Sequence, residues 1–170
     1  MHNKTTRIHR LGLAALCVFA SLAPGLPTLA ATAPSNIAVS ATVQATCTTT
    51  ATSLAFGTYT GAQADATATI TVTCTNTTAY SVGLDAGLGT TPAATVTTRH
   101  MNGPAAAGLA YTLKSVSQTG SNWGNTPPTD TVAGTGSGSG QPITVYGRVA
   151  AGQLVTPGAY ADTITATVTY

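Results

Sequence analysis

The stretch Ala66-Thr-Ala-Thr-Ile-Thr-Val-Thr-Cys74 decides the fold. Ala68, Ile70, Val72 and Cys74 alternate strictly with threonines, the period-2 pattern of a strand that buries one face and wets the other. Its valine, isoleucine and threonines are β-branched and suit a pleated, half-buried surface. Glutamate, a strong helix former, is absent from the chain, and no segment keeps a helical period. The expectation is an all-β protein.

Outward from this strand the alternation recurs. Residues 79–85 place Tyr80, Val82 and Leu84 inward, 109–116 place Leu109, Tyr111 and Leu113, and 160–170 place Ile164, Ala166, Val168 and Tyr170. Residues 141–149 read as another strand, with Pro142 at its start, where a missing N–H donor does least harm. Residues 54–59 read as a short apolar strand broken at Gly57. The sequence at 61–65, 76–78 and 156–158 reads as turns, and 86–108 as mainly loop with a short strand near 94–101. Residues 117–140 form the longest irregular region, carrying the lone Trp123 and the Gly/Ser run 134–140.

A further alternating stretch is Ser35-Asn-Ile-Ala-Val-Ser-Ala-Thr-Val-Gln-Ala-Thr-Cys47, with Ile37, Val39, Ala41, Val43 and Ala45 on one side and polar residues on the other. On pattern alone it pairs either with its own domain or with another. Six or seven short strands at these spacings suit a two-sheet sandwich. No candidate for a closing strand follows residues 160–170, so the sandwich is predicted to be one strand short.

Residues 1–30 read as a secretory signal: Lys4, Arg7 and Arg10, an apolar run over 11–23, then Pro24, Pro27 and small residues, with cleavage near Ala30. The run is too short to span a bilayer, which takes roughly 20 residues. After cleavage Arg99, Lys114 and Arg148 stand against Asp65, Asp85, Asp130 and Asp162, three cations against four anions. That balance offers no electrostatic footprint for nucleic acid or anionic lipid. About 140 mature residues make one domain.

Cys17 leaves with the leader, so Cys47 and Cys74 remain, and in an exported protein an even pair reads as one disulfide. Closing a loop of roughly 30 residues contributes roughly 3 to 4 kcal/mol in the chain-entropy picture. Two thiols and one mature histidine, His100, make a poor metal set. His100 has no nucleophile-elbow sequence to serve. Residues 136–140 lack the Gly-Lys-Ser/Thr of a phosphate cradle, and four scattered aspartates make no glycosidase pair. Asp162 reads as a hydrogen-bonding partner of the turn into the last strand. No enzyme, cofactor, metal or small-molecule substrate is expected. Trp123 reads as a cover for the core edge or as a sugar-stacking residue.

Several stretches together resemble the spore coat protein U domain family, which includes pilin subunits of archaic chaperone–usher pili. They are Val39-Ser-Ala-Thr-Val43 followed by Cys47, Phe56-Gly-Thr-Tyr59, Ile70-Thr-Val-Thr-Cys74, Leu84-Asp-Ala-Gly-Leu-Gly89, Tyr111-Thr-Leu113, Trp123-Gly124, Val145-Tyr-Gly-Arg148 and Gly158-Ala-Tyr-Ala-Asp-Thr163. The resemblance implies an incomplete immunoglobulin-like sandwich over residues 47–170, completed by a donor strand, with a disulfide between Cys47 and Cys74. It implies that residues 31–46 are a donor segment whose Ile37, Val39, Ala41 and Val43 fill a neighbouring subunit, and that a periplasmic chaperone pairs along Ile164, Ala166, Val168 and Tyr170. The partners implied are other pilin subunits, that chaperone and an outer-membrane usher. The role implied is a surface pilus that supports adhesion and biofilm formation. A spore-coat or surface-layer protein, or a self-complete carbohydrate-binding module using Trp123 and residues 117–140, are the alternatives.

Overall fold

The strand read at Ala66–Cys74 is the longest among the described residues and starts two residues earlier, as β2, Ala64–Cys74. The computed structural model describes residues 29–90, 93–104 and 108–170; the core of the expected leader, with Cys17, lies outside them. The chain divides into two units, Met1–Ser40 and Ala41–Tyr170. In the first, residues 29–40 are exposed and form no strand. The second holds every strand described below.

β2 pairs antiparallel with β1, Cys47–Ala51, and with β8, Gln141–Val149. β8 pairs in turn with β6, Thr112–Lys114, giving one sheet in the order β1-β2-β8-β6. The second sheet runs β7-β3-β9, where β3 is Ala79–Leu84, β7 Val132–Thr135 and β9 Ala166–Thr169. A two-stranded ribbon joins β4, His100–Met101, to β5, Leu109–Ala110. The inward faces read from the sequence meet in one core: Ile70, Val72, Val82, Leu84, Leu113 and Val145 are all buried. Register puts Ile70 opposite Ile143 and Ala68 opposite Val145, so the apolar faces of β2 and β8 coincide.

The structure departs from the sequence reading in five places. Residues 35–46 form no strand; pairing begins at Cys47, and the exposed threonines of β1 lie opposite those of β2, Thr48 to Thr73 and Thr50 to Thr71. Residues 54–59 form no strand either, although Leu54, Phe56 and Tyr59 pack against the core. Gly147 makes that packing possible, because a Cβ there would meet Leu54 Cδ1 at 2.8 Å and Phe56 Cζ at 2.9 Å.

The strand read over 109–116 changes partner at Tyr111. Its first half pairs with β4, Tyr111 N–H donates to Arg99 C=O at 3.0 Å, and its second half pairs with β8. Within the region read as irregular, β7 pairs with β3. Its Gly134 is a packing residue, since a Cβ would run into the Tyr80 ring. Finally, Tyr170 is not inward: it follows the end of β9 and is 59 % exposed.

Candidate functional site

β1 is a free edge of one sheet and β9 a free edge of the other, and the two run close to each other. Asp85 N–H donates to Thr165 C=O at 3.1 Å. In the β3–β9 register that makes Thr165, Thr167 and Thr169 the members bonded to β3 or its extension. Ile164, Ala166 and Val168 therefore turn their N–H and C=O groups to the open edge while their side chains sit half-buried. On the other side Thr52 N–H donates to Thr69 C=O at 3.0 Å, so Cys47, Thr49 and Ala51 turn outward in the same way.

Beyond Ala51 an apolar groove of about 1140 Å³ opens, walled by 51–61 on one side and 153–166 on the other. Its floor includes Ile70, Leu84, Leu109, Tyr111, Leu113 and Val145. Among the described residues, neither 53–60 nor 154–160 makes a backbone–backbone hydrogen bond. The groove thus combines core side chains with unpaired main chain, the chemistry a β-strand of alternating character satisfies.

Floor and wall are tied together by polar contacts. The Tyr111 hydroxyl donates to Asp162 Oδ2 at 2.7 Å, and Asp162 Oδ1 accepts from Leu88 N–H and Thr163 N–H, each at 2.7 Å. Burial first, then the bond to Asp162, pushes the Tyr111 phenol well above its ordinary range. Asp162 therefore serves the turn, as its position in the sequence suggests, and anchors the groove floor as well. Phe56 tilts against Tyr111 with ring centroids 6.0 Å apart. Tyr59 reaches the end of β8, its hydroxyl donating to Ala150 C=O at 2.8 Å.

Two buried residues support the groove, and the role of the first, Arg99, escaped the sequence reading. Arg99, 1 % exposed, donates Nε to Asp85 C=O at 2.8 Å, Nη1 to Val96 C=O at 2.8 Å, and Nη2 to Leu84 C=O at 2.9 Å and Trp123 C=O at 2.8 Å. Desolvation lowers its pKa. Four main-chain carbonyls take the place of a carboxylate partner. Trp123 is fully buried, with Nε1 donating to Val82 C=O at 2.9 Å. It belongs to the core, which agrees with its reading as a cover for the core edge and not with the sugar-stacking alternative.

The remaining sequence-predicted positions fall as follows. Cys47 and Cys74 are bonded to each other. Ile37, Val39 and Val43 are each at least 87 % exposed, and Ala41 is exposed too. His100 is buried, its Nδ1 3.3 Å from Thr98 C=O and its ring held against Gly89 and Gly108. Among the described residues no three metal-ligating side chains gather. Asp65 and Arg148 form an exposed bidentate pair at 2.7 and 2.8 Å.

A profile of the Spore Coat Protein U domain matches residues 33–167. The chain belongs to that family. No curated protein matches it. Among solved structures, this Spore Coat Protein U domain protein is similar to a chain in the CsuC–CsuE chaperone–tip adhesion subunit pre-assembly complex from the archaic chaperone–usher Csu pili of Acinetobacter baumannii. Identity is 22 %, the TM-score is 0.56, and the match covers 76 % of this chain and 40 % of that one. The Spore Coat Protein U domain protein thus spans less than half of the solved chain's length, and the likeness establishes a shared fold: the immunoglobulin-like sandwich that the family resemblance implies.

Proposed function

We propose that this protein is a structural subunit of a surface pilus, built by strand exchange. The N-terminal segment of one copy, residues 31–46, enters the groove of the next, with Ile37, Val39, Ala41 and Val43 facing the floor. Before assembly a periplasmic chaperone pairs along Ile164, Ala166 and Val168, and an outer-membrane usher exchanges it for the incoming segment. The observation that carries this reading is the groove itself: an apolar floor of core residues beside two free edges whose N–H and C=O groups point into the gap. Left uncovered, such an edge is an aggregation hazard, and a strand of alternating side chains covers it. Burying four donor side chains of this size contributes on the order of 5 kcal/mol, before main-chain pairing is counted. Because a whole strand must separate at once, the joint is kinetically durable.

Export through the periplasm, display on the cell surface, and a part in adhesion and biofilm formation follow from that role. It is structural, not catalytic. The burial of Trp123 weighs against the carbohydrate-binding alternative. The test is to express the mature chain with and without residues 34–45. The complete chain should form polymers that survive detergent and dissociate on heating, and the shortened one should not. Two equally stable monomers would refute the proposal.

A further inference from the structure

The groove wall after β1, residues 51–61, lies wholly inside the loop that the Cys47–Cys74 disulfide closes. That wall is weakly held. Residues 53–60 make no backbone–backbone hydrogen bond among the described residues; side chains hold them, Leu54 and Phe56 on Gly147 and the Tyr59 hydroxyl on Ala150. Immediately upstream of the disulfide, Thr46 C=O accepts from Thr75 N–H at 3.0 Å and Thr46 N–H donates to Thr75 Oγ1 at 3.2 Å. Downstream of Cys74 the chain turns directly into β3, whose edge partner is β9, the other side of the groove.

On the strand-exchange reading above, tension in a fibre enters each subunit through residues 44–46 and leaves through the groove walls. If β1 and its hydrogen-bonded ladder to β2 were the only route, that force would be carried by the main-chain bonds of five residues and, once these unzip, would reach the unpaired wall. It would peel open the groove that holds the next subunit. We infer that the Cys47–Cys74 disulfide is a load shunt. Tension passes from residue 47 across the sulfur bridge to Cys74, along the short turn into β3, and across the β3–β9 ladder to the incoming strand. The wall at 51–61 stays out of the tensile path, and the fibre can be stretched without loosening its own joints. This inference rests on the strand-exchange reading, and the same bond that closes the loop also removes its length from the extensible chain.

The test is force spectroscopy on assembled wild-type fibres before and after reduction, with thiol tagging to verify that the bond is broken. Fibres of the C47S/C74S double variant are pulled alongside, and because the wild-type fibres are reduced only after assembly, a variant that fails to fold does not remove the readout. Oxidised fibres should detach without releasing the loop. Reduced fibres should show an extra extension of up to ~90 Å per subunit before detachment, the length of 27 residues at ~3.4 Å each, and should detach at lower force. Identical force–extension curves for the oxidised and reduced fibres overturn the shunt. Failure of the wild-type chain to assemble would overturn the strand-exchange reading, and the shunt with it.

Discussion

Tyr111 and Asp162 are joined by a 2.7 Å hydrogen bond from phenol to carboxylate, linking the groove floor in one sheet's connection to the turn that leads into β9. The bond fixes the spacing between floor and wall, and the half-buried Asp162 has its other oxygen committed to main-chain donors. The site is pre-shaped by it.

Tyr111→Phe should therefore lower stability by about 1 to 3 kcal/mol, because it leaves a carboxylate oxygen short of a donor. Denaturant unfolding of the mature chain measures this. The pH dependence has a definite sign. The folded state raises the phenol's pKa, so it favours the neutral form, and the associated stability is present below about pH 10 and falls as pH rises above that ordinary tyrosine value. That component of the alkaline decline should be missing in the Phe variant.

Arg99→Met should be more damaging than most single changes in this chain. It strips four carbonyls of their shared donor, and each orphaned buried acceptor costs about 1 to 3 kcal/mol. Arg99→Lys should recover only part of the loss, since an ammonium cannot fork to groups in several directions. Thermal unfolding in the two variants and the wild type should rank them wild type, Lys, Met.

Trp123→Ala should cost about 3 to 5 kcal/mol through cavity formation. Trp123→Phe should cost less but leave Val82 C=O without its indole donor. Fluorescence gives an independent check: emission should be blue-shifted, resist quenching by acrylamide, and stay unchanged on adding oligosaccharides. Quenching by a sugar would restore the binding-module alternative.

Much of the sandwich was legible because its central strands are two-faced. The threonine alternation around Ile70 and Val72 states both the element and its buried side, and the run ending at Val149 states the element. β7 was hidden because Gly134, which reads as flexible in a sequence, is here the clearance for Tyr80. Arg99 was hidden for a different reason: its partners are main-chain carbonyls drawn together by the fold, and a carbonyl leaves no residue-type signature. Tyr111 shows a third limit, because alternation continues through it while its hydrogen-bonding partner changes. The inward face at Ile164, Ala166 and Val168 could be named from alternation, whereas its lying on an open edge was implied only by the family resemblance, and which main-chain groups point outward needed the β3–β9 register.

The central claim is that the segment spanning residues 35–46 adds as a strand between the edges of β1 and β9. Amide hydrogen exchange tests it most directly, comparing the chain that begins at residue 46 before and after adding a peptide of residues 35–46. Ile164, Ala166 and Val168, whose N–H groups face the gap, should become strongly protected, and Thr167 and Thr169, already bonded to β3, should change far less. Unchanged exchange at Ile164, Ala166 and Val168 with peptide bound, or no binding at all, would contradict it.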